Sequence, residues 1–283
     1  MKENLPSAPT VKDWLDAATH RLVFAEIPSA RLDAELLLAH TLRKPRTWLH
    51  GHSDELLDGR TQEIAAARLD LRVDRVPVAY IIGHKEFYGR TFKVTTATLI
   101  PRPESEDLIT LLDQAIPSDS LTREQPLRLA DVGTGSGILG ITAKLQHPEI
   151  DVTLLDTSRH ALTIAEQNAK ALNASVTALP SDLLTRYPYT ADIIIANLPY
   201  VNEAWERSPE TNHEPAEALF AADNGLALIY ELIAQTKQQL TSPGWLILEA
   251  DPEQHPAIIE KAEASGLVHV STLGYGVLLE KLV

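Results

Sequence analysis

Two short stretches hold the residues best able to do chemistry. The first is Asp131-Val-Gly-Thr-Gly-Ser-Gly137, with glycines at 133, 135 and 137. Positions without a Cβ let the backbone turn sharply and approach a ligand closely, and a helix opening just after them offers unpaired N–H groups to a carboxylate. This loop does not choose its ligand. Gly135, Gly137 and Gly140 also satisfy the dinucleotide fingerprint G-x-G-x-x-G, and a tight strand-to-helix turn with no ligand is the plain alternative. Asp156 ends Leu154-Leu155-Asp156. A carboxylate there can accept hydrogen bonds from both hydroxyls of a ribose, in NAD or in S-adenosylmethionine, or it can cap the next helix, a task open also to Ser158. Asp182, in Ser181-Asp182-Leu183, sits where an adenine amino group would be read, with an ordinary cap as the alternative.

The second stretch, Asn197-Leu-Pro-Tyr200, follows the apolar run Ile193-Ile-Ile-Ala196. The end of a parallel strand beside a cofactor crevice is where open α/β sheets bind ligands. The side-chain oxygen of Asn197 and the backbone carbonyl of Leu198 can each accept a hydrogen bond from an NH₂ group and aim its nitrogen at a sulfonium methyl. An amide nitrogen is a poor nucleophile because its lone pair is delocalised. Two acceptors on its hydrogens favour charge build-up on it and fix the angle of attack. Pro199 stiffens the turn, and Tyr200 offers a flat face to a planar amide or base. Nicotinamide chemistry has no use for this tetrapeptide, so S-adenosylmethionine is the better ligand for the glycine loop.

The elements that must position these residues follow from periodicity. Residues 1–75 read as a helical domain. Thr10 and Asp13 have capping-box spacing ahead of Trp14, Leu15, Ala18 and Leu22. Ser29 is placed to cap a second helix carrying Leu32, Leu36, Leu37 and Leu38. A third, over 61–75, sets Ile64, Ala67 and Leu71 on one side. Residues 76–103 read as a β-hairpin linker, from the β-branched and aromatic groups Tyr80–Ile82, Glu86–Tyr88 and Thr91–Val94 with turns at Gly83 and Gly89. Residues 104–283 form the main domain, opening with a helix over 104–114 and a polar separator over 117–125. Apolar runs at 127–132, 151–156, 175–179, 192–196 and 245–250, each followed by a helical stretch, imply a parallel sheet covered on both faces. Runs at 268–273 and 276–282, joined through Gly274 and Tyr275, leave room only for a tight turn and therefore pair antiparallel. The fold class expected is α/β, a Rossmann-like, mostly parallel seven-stranded class I methyltransferase with a small helical N-terminal domain.

Composition narrows the partners. The chain has 25 basic and 39 acidic residues, a formal charge of −14, and residues 1–75 carry only −1 of it. A body this acidic repels a phosphate backbone, which disfavours broad nucleic-acid binding and favours a protein partner met by the near-neutral helical domain. The chain has no cysteine, so disulfides and thiolate metal sites are impossible and a cytoplasmic setting is permitted. The ten histidines form no convincing cluster with carboxylates, and His50 and His52 flank Gly51 in an expected surface loop; no metal is expected. No apolar run has membrane-spanning length and the opening residues lack a secretory pattern. Oligomeric state is not legible, with a monomer as the default.

Taken together, Arg31-Leu-Asp-Ala-Glu-Leu-Leu-Leu38, Pro77-Val-Ala-Tyr-Ile-Ile-Gly83, Glu86-Phe87, Leu99-Ile-Pro-Arg-Pro-Glu-Ser-Glu106, the 131–137 loop, Asn197–Tyr200, and His213-Glu-Pro-Ala-Glu-Ala-Leu219 with Gly225-Leu226 resemble the release factor glutamine N5-methyltransferase family in order and spacing. The resemblance implies a class I release factor as partner, methylation of the glutamine in its Gly-Gly-Gln loop, and a helical domain that helps recruit it. It implies that Gly133, Thr134, Gly135, Ser136, Gly137 and Asp156 hold S-adenosylmethionine, with S-adenosylhomocysteine as product. Leu183 lies against the adenine, Asn197, Leu198, Pro199 and Tyr200 bind the glutamine, and Glu214 and Pro215 brace the site; Glu217 is as well read as a surface residue. The family usually has Pro where this chain has Leu198, and Asn-Leu-Pro-Tyr is also the form in ribosomal RNA adenine dimethyltransferases. The acidic main domain, the helical module and the Arg-Pro-Glu-Ser-Glu segment weigh against that alternative. A non-catalytic module would be expected to have lost Asn197 or the glycines.

Overall fold

The computed structural model describes residues 8–116 and 125–282; the polar separator expected over 117–125 lies outside them except for Gln125. The chain divides into two units, Met1–Gly83 and His84–Val283.

The first unit is helical: α1 (Val11–Phe24), α2 (Ala30–Leu42), α3 (Arg46–Gly51), α4 (Gly59–Val73) and α5 (Val78–Ile82). The capping box is present, with Thr10 Oγ1 accepting from the Asp13 amide at 3.1 Å and Asp13 Oδ2 accepting from the Thr10 amide at 3.0 Å. Trp14, Leu15, Ala18 and Leu22 pack with Ala34, Leu38, Leu49, Ala65 and Leu69. Ser29 precedes α2 without capping it; its hydroxyl donates to Asp33 at 2.9 Å.

Three further expectations are corrected in this unit. Ile64, Ala67 and Leu71 do share one side of α4, but it is the solvent side; the buried stripe is Ala65, Leu69 and Arg72. An arginine can join the core because its Nε donates to Asp33 Oδ2 at 2.7 Å, both side chains being almost wholly buried. Tyr80–Ile82 belong to α5 and not to a strand, since Pro77 sets an extended N-cap and Gly83, at φ +80°, ends the turn. His50 lies in α3 and His52 caps it, stacked on Trp48 with ring centroids 4.0 Å apart. Replacing Arg72 by alanine leaves the Asp33 carboxylate buried without its cation. Urea unfolding should register a loss of about 3 kcal/mol, and a loss under about 0.5 kcal/mol, typical of a surface site, would show that the pair is solvated.

The second unit opens with a hairpin, β1 (His84–Phe87) and β2 (Arg90–Lys93), turning at Tyr88 and Gly89 with φ of +50° and +71°. A 3₁₀ turn over Pro103–Ser105 leads into α6 (Glu106–Ala115), so the helix expected from 104 starts two residues later. Seven strands follow: β3 (Arg128–Val132), β4 (Asp151–Asp156), β5 (Thr177–Pro180), β6 (Ala191–Ala196), β7 (Leu240–Glu249), β8 (Val268–Leu273) and β9 (Gly276–Lys281). They form one sheet in the order β5-β4-β3-β6-β7-β9-β8, parallel except that β9 runs antiparallel to both neighbours.

Helices α7 (Ile138–Gln146), α8 (Arg159–Ala171), α9 (Ala227–Gln239) and α10 (His255–Glu263) complete the unit. Strand β6 shows why it reads as an unbroken apolar run. Ile193 and Ile195 enter a core with residues of α6, α7 and α8, while Ile194 and Ala196 enter another with residues of α9 and α10. The expectation of a helix after every strand fails once, and at another strand the helix comes late. Residues 181–190 join β5 to β6 without one, and β6 reaches α9 through a long segment holding 3₁₀ turns at Pro209–His213 and Ala216–Ala218. At the far end of β9, Lys281 Nζ donates to the carbonyls of Thr236, Lys237 and Leu240, satisfying the C-terminus of α9.

Candidate active site

A cleft of about 310 Å³ opens at the C-terminal ends of β3, β4 and β6. Its wall contains Gly133, Thr134, Gly135, Ser136, Asp156, Asp182, Leu183, Asn197, Leu198 and Pro199. Gly137 is not in that wall. It turns the chain into α7 at φ +87°, and a Cβ there would stand 2.5 Å from Ile141 Cδ1. A Cβ on Gly133 would stand 2.9 Å from Leu198 Cδ2, so the glycine loop and the Asn197–Tyr200 segment pack directly on one another.

The loop is held from beneath by two residues that sequence reasoning gave no role. Asp131 is fully buried, and its Oδ2 accepts from the Thr134 hydroxyl at 2.5 Å and the Gly140 amide at 2.8 Å. Burial pushes its carboxyl up to about 6, against the pull of those hydrogen bonds. Asn168 on α8 donates to the Ser136 carbonyl at 2.8 Å and exchanges hydrogen bonds with Lys93 of β2 at 2.7 and 3.0 Å, tying hairpin, helix and loop together. Asp156 accepts from the Gly135 amide at 2.9 Å and the Ser158 amide at 2.8 Å. Desolvation raises its carboxyl above the ordinary range despite these bonds. Ser158 itself caps α8, which frees Asp156 from that task. No helix follows Asp182, so it is no cap either; it is exposed at the rim beside Leu183, a buried wall residue at φ +44°.

A second chamber of about 150 Å³ adjoins the first, and Asn197 and Leu198 line both. Tyr200, Arg102, Phe220 and Glu249 complete much of its wall. Asn197 Nδ2 donates to Ser105 Oγ at 3.1 Å, which leaves the side-chain oxygen as the group available to a ligand. Tyr200 donates its hydroxyl to Glu249 Oε1 at 3.1 Å. Burial and the neighbouring carboxylate both raise the Tyr200 phenol, so it stays a neutral donor. Glu214 accepts from Arg102 Nη2 at 2.5 Å and from the Ile100 amide at 3.0 Å, joining the segment before α6 to the one after β6. Pro215 and Glu217 line the first chamber, so Glu217 is nearer the site than a bland surface role suggests. Ser105 and Glu249 were not foreseen. The only sequence signal for Glu249 is an acid closing the apolar run Trp245–Leu248, beside the strand that ends at Ala196, just before Asn197.

A glycine-lined cleft at the ends of β3 and β4, in a sheet whose penultimate position is filled by a reversed strand, defines a class I methyltransferase. Models of the PrmC N-terminal domain and of the methyltransferase small domain match residues 13–83 and 110–263. The release factor glutamine methyltransferase of Koribacter versatilis is 37% identical over 86% of this chain and 89% of its own length, and that of Escherichia coli 33% over 92% of each. This chain belongs to the release factor glutamine methyltransferase family. Among solved structures, a methyltransferase from Pyrococcus furiosus shares the fold over 77% of this chain and 98% of its own, with a TM-score of 0.51 at 15% identity. The 16S rRNA N2 G1207 methyltransferase of T. thermophilus does so over 71% of this chain and 50% of its own, with a TM-score of 0.50 at 17% identity.

Proposed function

We propose that this enzyme transfers the methyl group of S-adenosylmethionine to the side-chain amide nitrogen of the glutamine in the Gly-Gly-Gln motif of class I release factors, leaving S-adenosylhomocysteine and the one amide proton that the methyl group replaces. The observation that carries this reading is the two-chamber cleft with Asn197 and Leu198 at the junction. The inner chamber fits the cofactor: its volume is that of a small-ligand pocket, a carboxylate (Asp156) stands at the end of β4, and the glycine positions leave room for backbone approach. Gly133–Ser136, Asp156, Asp182 and Leu183 would hold it, with Gly137 shaping the turn. When bound, the cofactor supplies an electrophilic methyl group. Asn197 Oδ1 and the Leu198 carbonyl accept the amide hydrogens, Pro199 fixes the turn, and Tyr200 bounds the outer chamber where the glutamine enters. A backbone carbonyl serves whichever residue stands at 198, so leucine in place of the usual proline leaves this contact intact.

In this reading residues 1–75 recruit the release factor, 76–103 link, and 104–283 catalyse, in the cytoplasm and on a protein partner without nucleic acid or membrane. Among the described residues no helix is long and apolar enough to cross a membrane. The test is transfer of labelled methyl to a purified class I release factor, intact or with its Gly-Gly-Gln glutamine replaced. Label on the intact factor alone is the expected result; label on ribosomal RNA and none on the factor would replace this reading with the adenine one.

A further inference from the structure

Among the described residues, Glu249 is the one buried carboxylate bordering the outer chamber that the roles above leave unused. It ends β7, is 1% exposed, and faces Tyr200, Ser105 and Asn197. Oε1 takes the Tyr200 hydroxyl, whereas Oε2 is buried without a hydrogen bond of normal geometry. A buried acceptor left unpaired costs free energy, and its persistence beside a reaction site calls for a partner gained in the working state.

We propose that Glu249 is a positioning residue that sets the direction of the hydrogen-bond chain ending at Asn197, by accepting the Ser105 hydroxyl on Oε2 when the glutamine is bound. An ionised carboxylate can only accept. The Ser105 proton is then committed toward Glu249, so Ser105 Oγ receives Asn197 Nδ2–H, as it does at 3.1 Å. The Asn197 amide is thereby locked with its oxygen toward the acceptor nitrogen. Reversed, it would present an N–H to another N–H and the acceptor would be turned away. Tyr200 is held by the same carboxylate, so one buried charge orients both polar side chains of the Asn197–Tyr200 segment. No proton leaves Glu249 in this scheme; it acts through its neighbours.

The inference rests on the amide-methylation reading, and its test separates the two. Glu249→Gln keeps the shape but can accept from only one of the two hydroxyls at a time. Transfer to the release factor should fall about 100-fold in kcat, the cost expected of a misaligned attack, while KM for the factor and Kd for S-adenosylmethionine stay within about twofold. Ser105→Ala should give a similar loss, and the double variant should be no worse than either alone, because the two substitutions break one chain. The acid limb of the wild-type kcat profile should vanish in Glu249→Gln. Glu104 and Arg102 before α6, Tyr200 after β6, Tyr275 in the β8–β9 turn and Arg207 in the outer chamber are the other groups in this neighbourhood, and all are retained in that variant. Wild-type transfer matched by Glu249→Gln would overturn the inference and leave the function standing. Additive losses in the double variant would also overturn it. If Glu249→Gln does not fold, Ser105→Ala decides alone: full activity refutes the chain, and loss of kcat with unchanged cofactor binding supports it.

Discussion

Alanine at position 197 should lower kcat about a thousandfold while S-adenosylmethionine still binds with nearly wild-type affinity. In the proposed reading Asn197 supplies the side-chain acceptor that holds one hydrogen of the attacking amide, and removal of a single preorganised polar group from such a site is worth about 10²–10³ in rate. The deletion also releases Ser105, its partner at 3.1 Å, so the remaining polar groups lose their frame. The proposed cofactor cradle is built separately, from the loop carried by Asp131 and Asn168 and from Asp156 at the end of β4. Calorimetric titration with the cofactor and single-turnover transfer to the release factor distinguish the two. A variant that keeps a tenth of its activity, or that loses the cofactor instead, would mean that Asn197 has been given the wrong role.

The second large effect is expected at a residue that touches no ligand. Gly225 has φ +87°, and a Cβ there would lie 1.9 Å from the Tyr200 carbonyl oxygen and 2.6 Å from its carbon. That carbonyl is fixed by Gln254 Nε2, which donates to it at 2.9 Å and to the Asn224 carbonyl at 2.8 Å. Neither side can yield cheaply, so Gly225→Ala must displace Tyr200. Left-handed strain of about 1–2 kcal/mol and overpacking of about 1–3 kcal/mol both weigh on the fold. A shift of about 1 Å at Tyr200 would cost on the order of 100-fold in kcat. Gly266 provides the control: it has the same φ of +87° and nothing within 4 Å of its virtual Cβ. Gly266→Ala should therefore show the strain alone, with full activity. Equal losses in the two variants, in denaturant melts and in kcat, would remove the collision from the explanation.

The parallel core was legible because strands buried on both faces leave apolar runs that few other elements leave, and the antiparallel ending because only a tight turn fits at Gly274 and Tyr275. The glycine loop and Asn197–Tyr200 were legible for a related reason: local backbone demands and strand-end chemistry are written within a few consecutive residues. What escaped depends on partners distant in sequence. Arg72 reads as a surface residue until Asp33, 39 positions earlier, is found against it, on the face of α4 that Ala65 and Leu69 also bury. Ile81 and Ile82 have strand-forming side chains, yet the backbone before and after them, Pro77 and Gly83, closes a short helix. Ser105 and Glu249 lie far apart in the chain and meet only because α6 begins beside the ends of β6 and β7. Asn168 is one polar residue in a helix until the hairpin and the loop arrive on either side of it.

The reversed strand has a consequence for how the enzyme comes into being. Strand β7 carries Glu249, and on one edge its hydrogen-bonding partner is β9, which lies beyond α10 and β8 in the chain. A polypeptide leaving the ribosome thus presents β7 as an open edge, apolar on both faces, until β9 has followed and slipped between it and β8. An edge of that kind is a template for pairing with the wrong chain. Synthesis that stalls within this interval would leave an aggregation-prone intermediate in which every proposed site residue has been made but the sheet is still open beside β7.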